Sequence, residues 1–155
     1  MLHLKQEKAV TIVALVVIVI LLMILAGVSI TAGISQIGAV KDSKLIAELE
    51  MVQHAILEQY TKYKVTKDSV YLVGNKITNE EALSVANELG ITLVNIPTTY
   101  FNKDYYRLDK ASLTAIGIQD SKDEYIINYI SGEVMNITVK KTSNNNPLYI
   151  KASNF

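Results

Sequence analysis

A long uncharged stretch near the N-terminus constrains this sequence more than any other feature. No Asp, Glu, Lys or Arg occurs between Lys8 and Lys41, and the strongly apolar part of this stretch is Ala9–Val28. A secretory signal has an apolar region of only about 7–15 residues. As a helix, Ala9–Val28 would be about 30 Å long, which matches the hydrocarbon core of a bilayer. A buried core helix of this length would need protein all around it, which the 115 residues after position 40 could hardly supply. The sequence therefore predicts a membrane anchor.

Lysines lie on both sides of this predicted anchor. Lys5 and Lys8 precede it, and Lys41 and Lys44 follow it. Positive charge concentrates on the cytoplasmic side of membrane proteins, so the comparison favours a cytoplasmic N-terminus only weakly. We accordingly expect a single-pass membrane protein with an extracytoplasmic C-terminal domain.

A row of small residues forms a second signal in the same segment. Gly27, Thr31, Ser35 and Ala39 recur every four residues, which places them along one face of a helix. Such rows allow neighbouring helices in a membrane to approach closely. Small residues are also common where a span meets the membrane interface, and the sequence leaves both readings open.

The helical period continues beyond Lys41 in amphipathic form. The apolar positions on one face are Leu45, Leu49, Val52, Ile56 and Tyr63. No proline interrupts residues 1–96. The pattern predicts one helix from about Lys8 to about Lys64, with its first half in lipid and its second half packed on a domain.

The rest of the chain alternates short strands and helices. Two strand candidates are Val70–Val73 and Ile91–Val94. The segment DEYIINYISGEVMNITV is predicted to form two further strands joined by a two-residue turn at Ser131-Gly132, and the second of these strands is Val134–Val139. Lys140 to Asn146 has no period and is predicted to be a loop or a loose tail. The sequence predicts an α+β fold, in which the long N-terminal helix packs on a small, largely antiparallel β-sheet domain with short helices.

Two short helices are predicted from their capping residues. Thr78 and Glu81 form a capping box, and Gly90 ends this first helix. Asp109 caps the second, which ends at Gly117. The apolar face of the first helix is predicted to be Leu83, Ala86 and Leu89, and that of the second Leu113 and Ile116.

Enzyme and metal sites have no clear signature in this sequence. Cysteine is absent, which excludes disulfides, thiolate metal sites and cysteine nucleophiles. No nucleophile elbow, glycine-rich phosphate loop or HExxH motif occurs. His54 lies four residues from both Glu50 and Glu58, a spacing that can bind metal but far more often marks a solvated helix face. We therefore expect no enzymatic activity, no cofactor and no metal site.

The charge balance gives no indication of a nucleic-acid partner. Lysine and arginine total 15, and so do aspartate and glutamate. A tyrosine cluster in the second half could stack on bases or sugars beside Lys103, Arg107 and Lys110. We favour the alternative that most of these tyrosines are sheet residues with inward rings. They are Tyr100, Tyr105, Tyr106, Tyr125 and Tyr129.

The N-terminal pattern as a whole resembles a known family. A short lysine-containing leader, the run VTIVALVVIVILLMILAGVSI and an amphipathic continuation are similar to type IV pilins and pseudopilins, above all the pilin-like proteins of Gram-positive bacteria. The stretches YYRLDKASLTAIGI and DEYIINYISGEVMNI resemble the C-terminal domains attached to such anchors. The resemblance implies three segments: a leader at 1–9, a transmembrane and assembly half-helix at 10–40, and a globular domain at 41–155 that includes the amphipathic helix 41–64.

This resemblance also implies a processing site and a set of partners. In the family a prepilin peptidase cuts directly before the apolar run, usually after glycine, and the matching residues here are Ala9 and Val10. Main pilins carry a glutamate where this chain has Ala14. The expected partners are membrane lipid, other pilin-like subunits and the peptidase. The expected function is that of a minor or divergent structural subunit of a type IV pilus-like filament or a secretion or competence pseudopilus. The alternative is a monomeric, membrane-anchored extracellular binding module.

Overall fold

The structure is a computed structural model that describes residues 2–100 and 103–152, with side chains at 13–20, 40–100 and 103–152. The chain divides into two units, Met1–Lys41 and Asp42–Phe155. The elements are α1 (Leu2–Thr66), a 3-10 helix (Ser69–Tyr71), β1 (Asn75–Ile77), α2 (Asn79–Leu89), β2 (Tyr105–Leu108), α3 (Lys110–Ala115), β3 (Tyr125–Asn128), β4 (Glu133–Asn136) and β5 (Tyr149–Ile150).

The first unit consists of the N-terminal part of α1. Among the residues described, no helix is both long and apolar enough to cross a membrane. The predicted anchor Ala9–Val28 includes many side chains outside those that the structure describes, and the anchor stays a prediction.

The second unit is built around one antiparallel sheet. Its five strands lie in the order β1-β2-β3-β4-β5, so every strand pairs with its neighbours in the sequence. The α+β class and the antiparallel sheet that the sequence predicts are both confirmed.

One face of the sheet is covered by α1 and α3. Leu49, Val52 and Ile56 of α1 are fully buried against strand residues, as their spacing predicts. Leu113 and Ile116 of the α3 region join the same cluster, which confirms the predicted apolar pair. The strand residues of this cluster are Tyr106, Leu108, Tyr125, Ile127 and Val134.

The opposite face of the sheet is covered by α2. Ala82, Ala86 and Leu89 of α2 pack on the alternate strand residues. The strand residues on this face are Tyr105, Ile126 and Met135. Because successive side chains of a strand point to opposite faces, two helical layers can bury both sides of so small a sheet.

The helix caps follow the local sequence closely. The Thr78 side chain accepts a hydrogen bond from the Glu81 amide, and Gly90 ends α2 in the left-handed conformation with φ 73°. The Asp109 side chain accepts a hydrogen bond from the Ser112 amide at the start of α3. These caps confirm the predicted ends, because each depends only on residues within one helical turn.

Both strands predicted before β2 are wrong. The Asp68 side chain accepts a hydrogen bond from the Val70 amide, which starts a 3-10 helix in place of a strand at Val70–Val73. The strand forms later, at β1, after Gly74. Gly74 has φ 111°, and a Cβ there would lie 2.7 Å from a Leu108 methyl group. Ile91–Val94 has no strand partner among the described residues and packs as irregular chain.

Three further details differ from the sequence predictions. Leu83 is 51 % exposed, and Ala82 takes the predicted inward place on α2. The hairpin between β3 and β4 has a four-residue turn, because Asn128 pairs with Glu133. β4 ends at Asn136, because the side-chain oxygen of Asn136 accepts hydrogen bonds from the backbone amides of Thr138 and Val139 and so turns the chain.

The predicted loose tail is partly structured. Lys141 forms an isolated β-bridge with Pro147, and the Ser143 amide donates a hydrogen bond to Asp42 of α1. The chain then adds β5 to the sheet beside β4. A single polar run carries no periodic signal for such pairing, so the sequence does not predict it.

Candidate functional site

A buried glutamate lies on the α2 face of the sheet, at the hairpin end of β4. Glu133 begins β4 and has no exposed surface. The strand register places it beside Asn128, which in turn lies beside Tyr105. Three polar side chains thus form one row across the sheet. No ion pair joins Glu133 to a lysine or an arginine in the described part of the chain.

Four donors satisfy this carboxylate. Oε1 accepts hydrogen bonds from the Val94 amide at 2.8 Å and from the Tyr149 hydroxyl at 2.9 Å. Oε2 accepts from the Tyr105 hydroxyl at 2.8 Å and from the Ser131 hydroxyl at 2.6 Å. We refer to these five groups as the Glu133 network. The network ties β2, the hairpin turn, β5 and the irregular segment after α2 to one side chain, which offsets the cost of burying it.

The network changes the acidity of its tyrosines. Burial raises the pKa of Tyr105, and the negative charge of Glu133 and the hydrogen bond to it raise that pKa further. The same causes, in the same order, raise the pKa of Tyr149. Both hydroxyls therefore stay protonated as donors well above neutral pH.

A groove of about 250 Å³ opens beside the network. Leu83 of α2 and three residues of the irregular segment supply its apolar lining, while Asn79 and Lys103 contribute polar groups. The complete lining is Asn79, Leu83, Leu93, Val94, Ile96, Lys103 and Tyr105. Val94 and Tyr105 belong to both features, so Glu133 holds two walls of the groove in place.

One charged residue lines the groove, and others follow one of its lining residues in the sequence or line a neighbouring depression. Lys103 lines it and forms no ion pair with any described residue. Glu80 and Glu81 lie in the first turn of α2, next to Asn79. A second depression adjoins it at Asn79, where Lys76 and Asp104 form an ion pair of 2.7 Å. The groove therefore has a mostly apolar lining that includes one lysine.

Alkaline pH should unfold this unit. Burial raises the pKa of Tyr105, Tyr125, Tyr129 and Tyr149 above the usual 10.0. The folded state keeps these protons while the unfolded state loses them, so their stabilisation is complete below pH 10 and is lost as the pH rises further. We expect the free energy of unfolding to fall by about 1.4 kcal/mol per pH unit for each such tyrosine. Urea unfolding at a series of pH values measures this decline.

A single variant provides the control for this experiment. Tyr129 donates a hydrogen bond to the Val73 carbonyl at 2.7 Å and is 1 % exposed. Tyr129→Phe removes one proton that the folded state retains. The free energy of unfolding should therefore fall less steeply above pH 10, by about 1.4 kcal/mol per pH unit. An unchanged slope in this variant would contradict the assignment.

The assembly and processing residues lie in α1. Ala14 has an exposed side chain. The side chains of Ala9, Val10, Gly27 and Thr31 lie outside those that the structure describes, and so do those of Ser35 and Ala39. Their predicted roles in processing and helix packing stay predictions.

Other polar side chains of the unit cap helices, bond to neighbouring side chains or lie on the surface. Asp109 caps α3, Asp123 accepts a hydrogen bond from Asn136, and His54 is exposed on α1. No group of three or more metal-ligating side chains occurs in the part of the chain that was described. Arg107 forms an ion pair with Glu124.

The tyrosines are mostly sheet residues, as predicted. Tyr105, Tyr106, Tyr125 and Tyr129 are buried, and Tyr100 is 45 % exposed. Tyr106 and Tyr129 meet edge to face with ring centres 5.3 Å apart. Their rings therefore belong to the core of the unit.

Sequence reasoning missed Glu133 and the groove. One signal was present: two-residue alternation places Glu133 on the same strand face as Met135. A charge on an apolar face indicates a buried, hydrogen-bonded side chain. Its donors come from four separate segments, and local patterns do not reveal them.

No family model matches this chain, and neither does any curated protein or any solved structure.

Proposed function

We propose that this chain is a structural, non-enzymatic subunit, minor or divergent, of a pilin-like filament or a secretion or competence pseudopilus. In this proposal residues 10–40 hold the subunit in the membrane until assembly. The unit from Asp42 onward then lies outside the cytoplasm, and after assembly it lies on the surface of the filament. The prepilin peptidase cuts between Ala9 and Val10.

One observation carries the proposal. The large apolar side chains between Val13 and Ile20 are each 43–63 % exposed. Eight consecutive residues cover more than two helical turns, so apolar surface faces every direction around this part of α1. A helix that is apolar all round requires a covering of lipid or of other helices. An anchor that lies in lipid before assembly and in a bundle of similar helices after assembly is covered in both states.

Helix packing in the assembled state rests on the small-residue row. Since Ala14 replaces the family's glutamate, this chain lacks that charge contact with a neighbour, and close packing at Gly27, Thr31, Ser35 and Ala39 takes its place in the proposal. A buried carboxylate in lipid is costly unless paired, so alanine also suits the isolated anchor.

Enlarging two residues of this row tests the proposal. We expect Thr31→Leu with Ser35→Leu to keep normal membrane levels, because leucine inserts readily, and to lose filaments, because it blocks close approach. Electron microscopy of material sheared from expressing cells measures the filaments. The matched control is Ser29→Leu with Gln36→Leu, which the helical repeat of about 100° per residue places on a different face.

The outcomes separate the alternatives. Filaments that persist in the Thr31 and Ser35 variant would show that the row is incidental. An unmodified chain that forms neither filaments nor crosslinks to a pilin-like partner would support the second candidate, a tethered binding module. The apolar groove beside Tyr105 is the observation that favours this second candidate.

A further inference from the structure

Two tyrosine rings lie against each other near the C-terminal end of α1. Tyr60 and Tyr63 are three residues apart, which places them on the same side of the helix. Their ring centres are 6.1 Å apart and their planes are inclined by 23°, so the rings are stacked. Both residues are partly exposed. The pair is therefore close together and open to small molecules in solution.

Neighbouring groups hold this pair in place. Tyr60 packs against the cluster between α1 and the sheet. The ammonium group of Lys64 lies 5.7 Å from the centre of the Tyr60 ring, a distance at which a cation is attracted to the face of a ring. Both tyrosines belong to one helix, so their relative position does not depend on a loop. The rings are neighbours in the folded unit and need no large movement to react with each other.

The sequence leaves tyrosine with few competitors for an oxidant. It contains neither cysteine nor tryptophan, the two side chains that compete best with tyrosine for one-electron oxidants. A phenol that gives up one electron and one proton becomes a phenoxyl radical, and two such radicals join through the ring carbons next to their hydroxyls. Stacking replaces the encounter of two separate radicals by a step within one molecule. The stacked pair is thus arranged for coupling before any oxidant arrives.

We propose that Tyr60 and Tyr63 form a site of oxidative modification, at which a carbon–carbon bond joins the two rings as dityrosine. Each ring loses one hydrogen atom in total, so the pair gives up two electrons and two protons while both hydroxyls are retained. The oxidant is hydrogen peroxide acting through a haem peroxidase, and one peroxide molecule takes up the two electrons and two protons to become two water molecules. The inference goes beyond the proposed function and does not depend on filament formation.

A second tyrosine pair shows why short distance alone is not enough. The ring centres of Tyr106 and Tyr129 are 5.3 Å apart, but the rings meet edge to face at 73°. Tyr129 is 1 % exposed, and its hydroxyl donates a hydrogen bond to the Val73 carbonyl. Burial keeps oxidants away from this ring, and the hydrogen bond fixes its orientation. We therefore expect no bond between Tyr106 and Tyr129.

Peroxidase treatment of the full chain, dilute in detergent, tests the site. Trypsin cleaves after lysine, so it releases residues 45–62 and 63–64 of the untreated chain as separate peptides. After oxidation, mass spectrometry should recover residues 45–64 as one species that lacks two hydrogen atoms, and this species should show the blue fluorescence of dityrosine. Met51 lies in the same peptide and can gain an oxygen atom, which changes the mass in the opposite direction. A separate reaction with a short tyrosine peptide confirms that the oxidant is active.

Conservative variants identify the two rings. Tyr63→Phe keeps the ring but removes the hydroxyl, so it should abolish the joined species, and Tyr60→Phe should do the same. The matched control is Tyr71→Phe, because Tyr71 is also partly exposed and lies in the 3-10 helix that follows α1. This control should leave the joined species unchanged. Circular dichroism before oxidation checks that each variant is folded.

The outcomes decide the inference directly. Separate peptides 45–62 and 63–64 after treatment with active oxidant would overturn it, and so would a joined species that persists in Tyr63→Phe. A bond from Tyr60 to Tyr100 would appear as residues 45–62 joined to residues 77–103. This product, or crosslinked dimers in place of the joined species, would assign the reaction to other pairs and also overturn the inference.

Discussion

Ile56→Asp should unfold the globular unit. Ile56 lies on the buried face of α1, has no exposed surface and packs in the cluster between the helix and the sheet. The substitution removes this apolar packing and buries a carboxylate without a partner. We expect a loss of at least about 4 kcal/mol, which is most of the stability of an ordinary small domain. Urea unfolding of residues 42–155, followed by circular dichroism, measures the loss.

The same helix offers a matched control. Met51 lies five residues before Ile56 on α1 and is 56 % exposed. Met51→Asp introduces the same carboxylate at a solvated position, so the free energy of unfolding should change by less than about 0.5 kcal/mol. Equal effects of the two substitutions would show that this face of α1 does not pack on the sheet.

Glu133→Ala should be the second most damaging change. It leaves the Val94 amide and three hydroxyls, those of Tyr105, Ser131 and Tyr149, without their acceptor inside the unit. A buried donor without a partner costs about 1–3 kcal/mol, although hydroxyls can turn towards other acceptors. We expect a total loss of about 4 kcal/mol. We also expect faster hydrogen exchange at the Val94 amide, because that amide loses its bond.

Glu133→Gln separates hydrogen bonding from charge. Its amide oxygen can still accept from the Val94 amide and Tyr149, while the hydroxyls of Tyr105 and Ser131 can rotate to accept from its amide nitrogen. We therefore expect a smaller loss than for alanine and continued protection of the Val94 amide. A loss below about 1 kcal/mol for Glu133→Ala would contradict the stabilising role of the network.

Local signals predicted the helices well. The caps at Thr78 and Asp109 and the end at Gly90 depend on residues within one turn. The buried face of α1 at Leu49, Val52 and Ile56 follows from the helical period, because a helix that packs on one side of a sheet buries only one of its faces. These features could be predicted because each is decided over a short stretch of chain.

Strands depend on partners that the local sequence does not contain. Ile91–Val94 has an apolar composition typical of a strand, yet its Val94 amide donates to the Glu133 side chain. The composition of Val70–Val73 is equally typical of a strand, but the Asp68 side chain caps a 3-10 helix that begins at Ser69. β5 forms because β4 offers it an edge, and nothing in its own two residues predicts that.

The candidate site shows the same division. The sequence alone determined the uncharged stretch between Lys8 and Lys41, the amphipathic continuation and the caps, because these are patterns of neighbouring residues. Only the tertiary structure decided that Glu133 is buried, since its donors come from Val94, Tyr105, Ser131 and Tyr149. It also placed the groove beside this network. Burial and surface shape arise from contacts between distant segments, and a linear pattern does not contain those contacts.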